Sequence, residues 1–392
     1  MRSEFQNSLL GDLEIGLRRL ESRSQRRSLQ RVAGVSLCSN DYLGLSQQEE
    51  LRAAILEAVR STEQVGGTGS RLLSGHFAVW EELENEFAVF AGTEAALYFG
   101  SGYAANVGLL SSVLGKGDLI FSDELNHASI IDGIRLSGAQ KEIYPHGSLN
   151  ALESALKARV TWRGRKIIVT ESVFSMDGDV ADLSAIVALA ERFGASVIVD
   201  EAHATAVHGP SGRGIVAACG LEERVLAVVH TCGKALASAG AFVCGSRVLK
   251  EHLINHTRTF IFSTAMPPYF AAQIRAALGL ARGMDAERHG LLDGAREFAR
   301  SLQEEGWGVN SCDSQIVPCI VGSNEEALSA AEFLQGEGFA VRAIRPPTVP
   351  EGKARLRFSL TSLIGADELA RLHAALGAWR ASKETQAAAV HA

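Results

Sequence analysis

Residues Lys166–His203 read KIIVTESVFSMDGDVADLSAIVALAERFGASVIVDEAH. Two short apolar runs, KIIVT and SVIV, flank LSAIVALAERFG (183–194), where apolar residues recur at helical spacing. A strand covered on both faces reads as a continuous apolar run, and parallel neighbours need a crossover helix between them. The stretch is therefore a β–α–β unit. The same alternation extends outward. Upstream lie AALYF (Ala95–Phe99), preceded by the helix-like AVWEELENEFAVFAG, and DLIFS (Asp118–Ser122). Downstream lie VLAVVHT (Val225–Thr231) and GAFVCGS (Gly240–Ser246). No fixed-period repeat interrupts the pattern, which excludes a solenoid. The predicted fold class is α/β, a mostly parallel sheet covered by helices.

Beyond about residue 270 the style changes. Helical runs (Ala271–Arg282, Gly290–Gly306) lead to SQIVPCIVG, a helix at 325–337, the strand FAVRAI, the loop RPPTVPEG, the strand ARLRFSL and a last helix, ADELARLHAALGAWRAS. The tail ETQAAAVHA is expected to fray. At the other end, residues 1–30 predict an amphipathic helix followed by a basic stretch, Arg23 to Arg31. The expected division is an N-terminal arm (1–46), a large domain (47–270) and a small α+β C-terminal domain (271–392).

Composition narrows the function. In 392 residues, 46% are hydrophobic and 21% charged, which excludes a disordered chain. The net charge of −7 is opposite to that of a nucleic-acid binder. No apolar run reaches the length of a membrane span, and the N-terminus has no uninterrupted apolar segment of the signal-peptide kind. The six cysteines form no CxxC pair, so neither a zinc site nor a disulfide framework is expected, and the default compartment is a reducing cytoplasm.

Ligands of open α/β sheets bind beyond the carboxyl ends of the strands, and polar residues gather there. Ala95–Phe99 is followed by GSGYAAN (Gly100–Asn106), a glycine-rich turn opening a helix and a ready anion site. The next strands are followed by His127, by Ser175 and Asp177, by Asp200 and His203, and by Thr231 and Lys234. Taken singly these have plain readings: Asp200 as a helix cap, His127 as a satisfied core histidine, Lys234 as a solvated cation. Lys234, however, lies in TCGKALASAGAFV with no acid near it in sequence, and a desolvated lysine has a lowered pKa and condenses with aldehydes. A phosphate cradle, a carboxylate, a nucleophilic lysine and a flat imidazole together are what pyridoxal 5'-phosphate requires.

The motif order resembles the α-oxoamine synthases among the fold-type I pyridoxal-phosphate enzymes. It runs from SNDYLGLS (Ser39–Ser46) through GSGYAAN, DELNHASIIDG, TESVFSMDGD, VDEAHATAVHGPSGRG, TCGKALASAGAF and FSTAMPP (Phe262–Pro268) to AIRPPTVPEGKARLRFSLTS (Ala343–Ser362), nearly the whole chain. The resemblance implies that Lys234 bonds the cofactor and shuttles the α-proton, and that Asp200 faces the ring nitrogen. His203 and Ser175 would contact the ring-oxygen side, and His127 would stack on the ring. Gly102, Tyr103 and Thr231 would hold the phosphate, and Thr264 would reach the phosphate of a neighbouring subunit, which makes a homodimer with sites at the interface. Arg357 would hold the amino-acid carboxylate, Asn40 and Thr348 would line the substrate side, and Arg26 would meet the acyl substrate.

The wording AIRPPTVP followed by ARLR is most similar to the family branch that joins L-alanine to a pimeloyl thioester, on CoA or acyl-carrier protein, in biotin synthesis. Rival readings are a sister synthase using glycine or serine with another acyl-CoA, an aminotransferase, and a non-catalytic scaffold. Ala206 and Ala237 depart from the glycines usual in the family; if either position needs φ > 0, its methyl strains the backbone.

Overall fold

The computed structural model of the chain describes residues 4–31, 33–309 and 312–390. In chain order its strands are β1 (Val35–Ser36), β2 (Ala95–Phe99), β3 (Leu119–Asp123), β4 (Gln140–Tyr144), β5 (Lys166–Glu171), β6 (Ser196–Asp200), β7 (Ala227–Thr231), β8 (Ala241–Gly245), β9 (Ile316–Gly322), β10 (Phe339–Ala340), β11 (Ala343–Ile344) and β12 (Ala354–Ser359). Seven of them form one sheet in the order β2-β8-β7-β6-β5-β3-β4. Every pairing from β7 to β4 is parallel; β8 alone runs against its neighbours β7 and β2. The sheet is mostly parallel, as its apolar strands require.

Alternation along each strand feeds two apolar layers. Leu97, Phe99, Ile167, Val169 and Ile198 point to one face, where Leu109, Leu110, Ile130 and Ile134 cover them. Ala96, Tyr98, Ile168, Val197 and Val199 point to the other, against Leu83, Phe87, Leu183, Ile186 and Val187. The helix Leu183–Phe193 illustrates the local logic. Asp182 caps it by accepting the Ala185 N–H at 2.9 Å, and Gly194 ends it in the left-handed conformation at φ 64. Leu183, Ile186, Val187 and Ala190 share its buried face. Each large side chain there contributes about 1.5–3 kcal/mol by leaving water.

Three expectations are revised. Gln140–Tyr144 is a strand that the apolar-run criterion passes over, because it is a sheet edge whose Gln140, Lys141 and Glu142 face solvent or its fringe. FAVRAI is not one strand. Val341 is buried and turns into the core, so β10 pairs with β1 while β11 joins β12 and β9 in a separate antiparallel sheet. The last helix, Ala366–Val390, continues through most of the tail expected to fray, where alanines favour helix. The arm is thus bound to the C-terminal part of the chain through β1 and β10. No helix of the described residues is long and apolar enough to cross a membrane.

Candidate active site

The carboxyl ends of β2, β3, β5, β6 and β7 open onto a cavity of about 460 Å³. Its walls bring together Asn40, Gly102, Tyr103, His127, Asp200, His203, Thr231 and Lys234 from the residues singled out in the sequence, with Asn106, Ser129, Glu171 and Ser238 added.

One end of the cavity suits an anion. The helix Gly102–Val113 begins here, and Ser101 caps it by accepting the Ala104 N–H at 3.1 Å. The first amides of the helix have no acceptor within it, and the positive end of its dipole faces the cavity. Gly102 is required by close approach: a Cβ there would stand 2.7 Å from Cγ2 of Thr231. The hydroxyl of Ser238 lines the same cavity, buried and without a hydrogen-bond partner. These groups fit a bound phosphate.

The other groups form one network. Asp200 ends β6; its Oδ2 accepts from Asn106 Nδ2 at 2.6 Å and its Oδ1 from the Ala202 N–H at 2.8 Å. Both donors are neutral groups. Asn106 also donates to Ser129 Oγ at 3.0 Å, and Ser129 Oγ lies 2.7 Å from His127 Nδ1. Nδ1 further accepts the Ser129 N–H, making His127 the cap of the helix Ala128–Ser137. Nδ1 must therefore be bare, and the neutral ring carries its proton on Nε2. Burial holds the pKa of His127 below its ordinary value; Asp200 pulls it up and Lys234 down again. His203 is lowered much further, by burial first and then by Lys234 and Arg357, and its Nδ1 meets the Tyr42 hydroxyl at 2.7 Å.

Lys234 sits in the turn joining β7 to β8, where burial lowers its pKa to about 8 against the opposing pull of Asp200 and Glu171. A neutral amine is the nucleophile. Uptake of pyridoxal phosphate by the cofactor-free protein is accordingly expected to quicken from pH 7 to 9 with a midpoint near 8, followed as growth of the visible absorbance band. A midpoint near the ordinary lysine value would contradict the burial assigned to Lys234.

Arg357 on β12 is 8% exposed. Its Nε donates to the Ser175 carbonyl, and Nη1 and Nη2 approach Asn40 Oδ1 at 3.3 and 3.4 Å. Among the described residues no carboxylate pairs with it. By contrast Arg355 is paired with Asp177 at 2.6 Å. Ser175 thus meets Arg357 through its carbonyl. Glu201, the second acid of DEAH, turns away from the cavity to accept the Val216 N–H at 2.8 Å, and burial raises it to about 8.

Other predicted residues lie outside the cavity wall. Thr348 is exposed and accepts from Arg27 Nη2 at 3.0 Å, whereas Arg26 turns to Glu21 at 3.0 Å. Thr264 is exposed and borders a second cavity of about 210 Å³, which shares Gly100 and Ser101 with the first. Tyr103 donates its hydroxyl to Asp132. Glu171, missed in the sequence reading, accepts the His127 N–H at 2.6 Å and stands opposite Asp200 in the parallel pairing of β5 and β6. Burial and the neighbouring Asp200 hold Glu171 well above the usual carboxylate range. The signal for it was the one that marked Asp200, an acid closing an apolar strand.

Ala206 and Ala237 both take positive φ, 66 and 43. Relief of a left-handed alanine is worth about 1 kcal/mol, and glycine gives back about 0.5–1 kcal/mol in chain entropy. Ala206 is fully buried, and losing its methyl costs about another 0.8 kcal/mol. Ala237→Gly is therefore expected to raise the urea midpoint slightly and Ala206→Gly to lower it.

Known proteins resemble this chain over most of its length. Residues 33–376 match the family described as aminotransferase class I and II. An 8-amino-7-oxononanoate synthase of Geobacter sulfurreducens is 44% identical over 384 residues, covering 94% of this chain and 97% of the relative. A serine palmitoyltransferase of S. paucimobilis, solved with bound pyridoxal phosphate and myriocin, superposes with a TM-score of 0.87 at 29% identity, covering 97% and 100% of the two chains. An 8-amino-7-oxononanoate synthase of Francisella tularensis gives 0.76 at 28% identity, covering 90% and 99%. The chain thus belongs to the class I and II aminotransferase family and, within it, to the 8-amino-7-oxononanoate synthases, which are pyridoxal-phosphate enzymes.

Proposed function

We propose that the chain joins L-alanine to a pimeloyl thioester, carried on CoA or on acyl-carrier protein, and releases CO₂, free thiol and 8-amino-7-oxononanoate for biotin synthesis. The observation that carries this reading is Arg357, a buried guanidinium on neutral acceptors that touches Asn40 of the cavity wall and has no carboxylate among the described residues. Such a cation is a seat for the carboxylate of an amino acid.

Pyridoxal phosphate, when bound, supplies an aldehyde for the amino group and a protonated ring that takes up electrons released at Cα. Gly102, Tyr103, Thr231 and Ser238 would hold its phosphate and Asp200 its ring nitrogen; His203 and Ser175 belong to the ring-oxygen side. Thr264, across the interface, would reach the partner's phosphate. In this reading Nζ of Lys234 takes the Cα proton and later returns one. His127 would cover the ring and keep the Cα–H bond oriented. Its Nε2–H is the donor available to the new carbonyl oxygen as the thiol and then CO₂ leave. Arg357 keeps the alanine carboxylate in place until carboxylate is lost.

Arg27, facing Thr348, takes the place expected of Arg26 on the acyl side. Arg27→Ala is expected to raise KM for the acyl donor by about tenfold, a loss of one charge-assisted contact, while Arg26→Ala stays close to wild type. Equal effects would remove the distinction.

The same reading makes the protein a cytoplasmic homodimer built from an arm (1–46), a large domain (47–270) and a small one (271–392). Leu72, Leu73 and Phe262 are 49%, 80% and 71% exposed, on two loops tied together where the Ala265 N–H donates to the Gly69 carbonyl at 2.8 Å. An apolar surface of this kind marks a contact. Sedimentation at micromolar concentration should return twice the chain mass; a monomer would remove Thr264 from the site.

The deciding assay is thiol release from pimeloyl-CoA by cofactor-loaded protein, with alanine, glycine and serine side by side. Release with alanine supports the proposal. Release only with glycine or serine would transfer the chain to a sister activity. Silence with all three, together with amino-group transfer to a keto acid, would support the aminotransferase.

A further inference from the structure

His146 follows β4 and has no part in the chemistry above. Its Nδ1 lies 2.9 Å from Oδ1 of Asp123, at the end of β3, and its Nε2 lies 2.8 Å from Oδ2 of Asp179, in the loop 173–180. Phe174 of the same loop meets the ring edge to face at 4.4 Å. Glu124 accepts the His146 N–H at 2.8 Å. With a carboxylate at each nitrogen, both must donate. Burial opposes the charge, but the hydrogen bonds to Asp123 and Asp179 outweigh it and push His146 up to about 10.

The loop held on this side by His146 is held on the other by β12. Asp177 pairs with Arg355, the Met176 carbonyl accepts from Arg355 at 3.2 Å, and the Ser175 carbonyl accepts from Arg357. One end of this chain of contacts is thus fixed to the large sheet, and the other ends on the guanidinium.

We propose that His146 is a positioning residue for the amino-acid carboxylate: by tying Asp179 to Asp123 it fixes the loop 173–180, and through the Ser175 carbonyl it sets the direction of Arg357. This rests on the reading of Arg357 as the carboxylate seat. Few contacts orient Arg357 besides Ser175, Asn40 and Ser359, so movement of the loop changes the seat directly.

The test is titration of L-alanine into the cofactor-loaded protein without acyl donor, read from the visible band, with kinetics and melting temperature in parallel. For His146→Ala, Kd and KM for alanine are expected to rise about tenfold while kcat and KM for the acyl donor stay within about threefold. His146→Gln, which can serve one aspartate, should fall between. Asp179→Asn should resemble it, and both serve if the alanine variant does not fold. Combined with Arg357→Lys, His146→Ala should cost clearly less than the product of the two single losses. A lower melting temperature with unchanged alanine affinity would make His146 structural only and overturn the proposal, as would losses that multiply. If Arg357→Lys alone leaves alanine binding unchanged, the carboxylate seat itself is wrong and the proposal falls with it.

Discussion

Lys234→Ala is expected to abolish the covalent visible band of the cofactor and to lower turnover by about 10⁴-fold or more, since both a nucleophile and a proton carrier are lost. The loop should survive the change. Ser238 N–H donates to the Cys232 carbonyl at 2.9 Å, Cys232 N–H to the Gly240 carbonyl at 2.9 Å, and Gln273 Nε2 to the Ala237 carbonyl at 2.9 Å, none of them through the lysine side chain. A second readout does not involve turnover. The folded pKa of about 8 lies below the ordinary 10.5 of a lysine in the unfolded chain, so between these values the unfolded chain binds the extra proton. Lys234 therefore costs stability most below pH 8, and the cost fades as pH rises towards 10.5. The cofactor-free variant should melt above the cofactor-free wild type at pH 7, and the gap should narrow at pH 10. A gap that widens with pH would show that Lys234 is not desolvated.

Asp200→Asn is the second large effect, expected to lower kcat by about 10³-fold, the scale of losing one preorganised electrostatic contact in a dry site. The change is nearly isosteric, yet it cannot be silent. Asp200 accepts on both oxygens, from Asn106 and from the Ala202 amide. An asparagine has one acceptor oxygen, so one of these donors would face an NH₂ group. The negative charge proposed to face the ring nitrogen also disappears. Asp200 is the foremost group holding the pKa of Lys234 up, and without it the pH midpoint of cofactor uptake should move below about 8. Unchanged uptake with near-normal kcat would remove Asp200 from the role assigned to it.

How much of this was legible in the sequence depended on burial. Apart from Ser196, the strands KIIVT, SVIV and AALYF are buried on both faces, so their composition alone marked them. Gln140–Tyr144 is a mostly exposed strand at a sheet edge, so neither it nor His146, which follows it, stands out in the sequence. Asp200 and Glu171 end neighbouring strands in register. In the sequence Asp200 follows its apolar run directly, whereas Thr170 separates Glu171 from the run KIIV and leaves it looking like part of the strand. Asn106 and Ser129 stood inside motifs already quoted, but pairing across 94 and 23 residues is a property of the sheet and not of spacing. Arg26 and Arg27 are adjacent, and which of them faces Thr348 depends on the path of the arm over the small antiparallel sheet. The strain at Ala206 and Ala237, in contrast, was legible only through the family resemblance, in which glycine is usual at both positions.

The pairing of β1 with β10 has a consequence for biosynthesis. The two strands lie roughly 300 residues apart, and a nascent chain leaves the ribosome from its N-terminus. Beyond its own turns, the backbone of the segment after β1 is tied to late residues: Leu37 N–H donates to the Ala340 carbonyl, Ser359 N–H to the Leu37 carbonyl, and Ser362 N–H to the Tyr42 carbonyl. The seven-stranded sheet is complete by Gly245 and can form while translation continues. Asn40 and Tyr42 then wait, unseated, until the stretch through Ser362 has emerged, and His203 waits with them for its hydroxyl partner. The turn at Gly102 can thus form early, while Asn40 can join the cavity wall only as the last quarter of the chain is released.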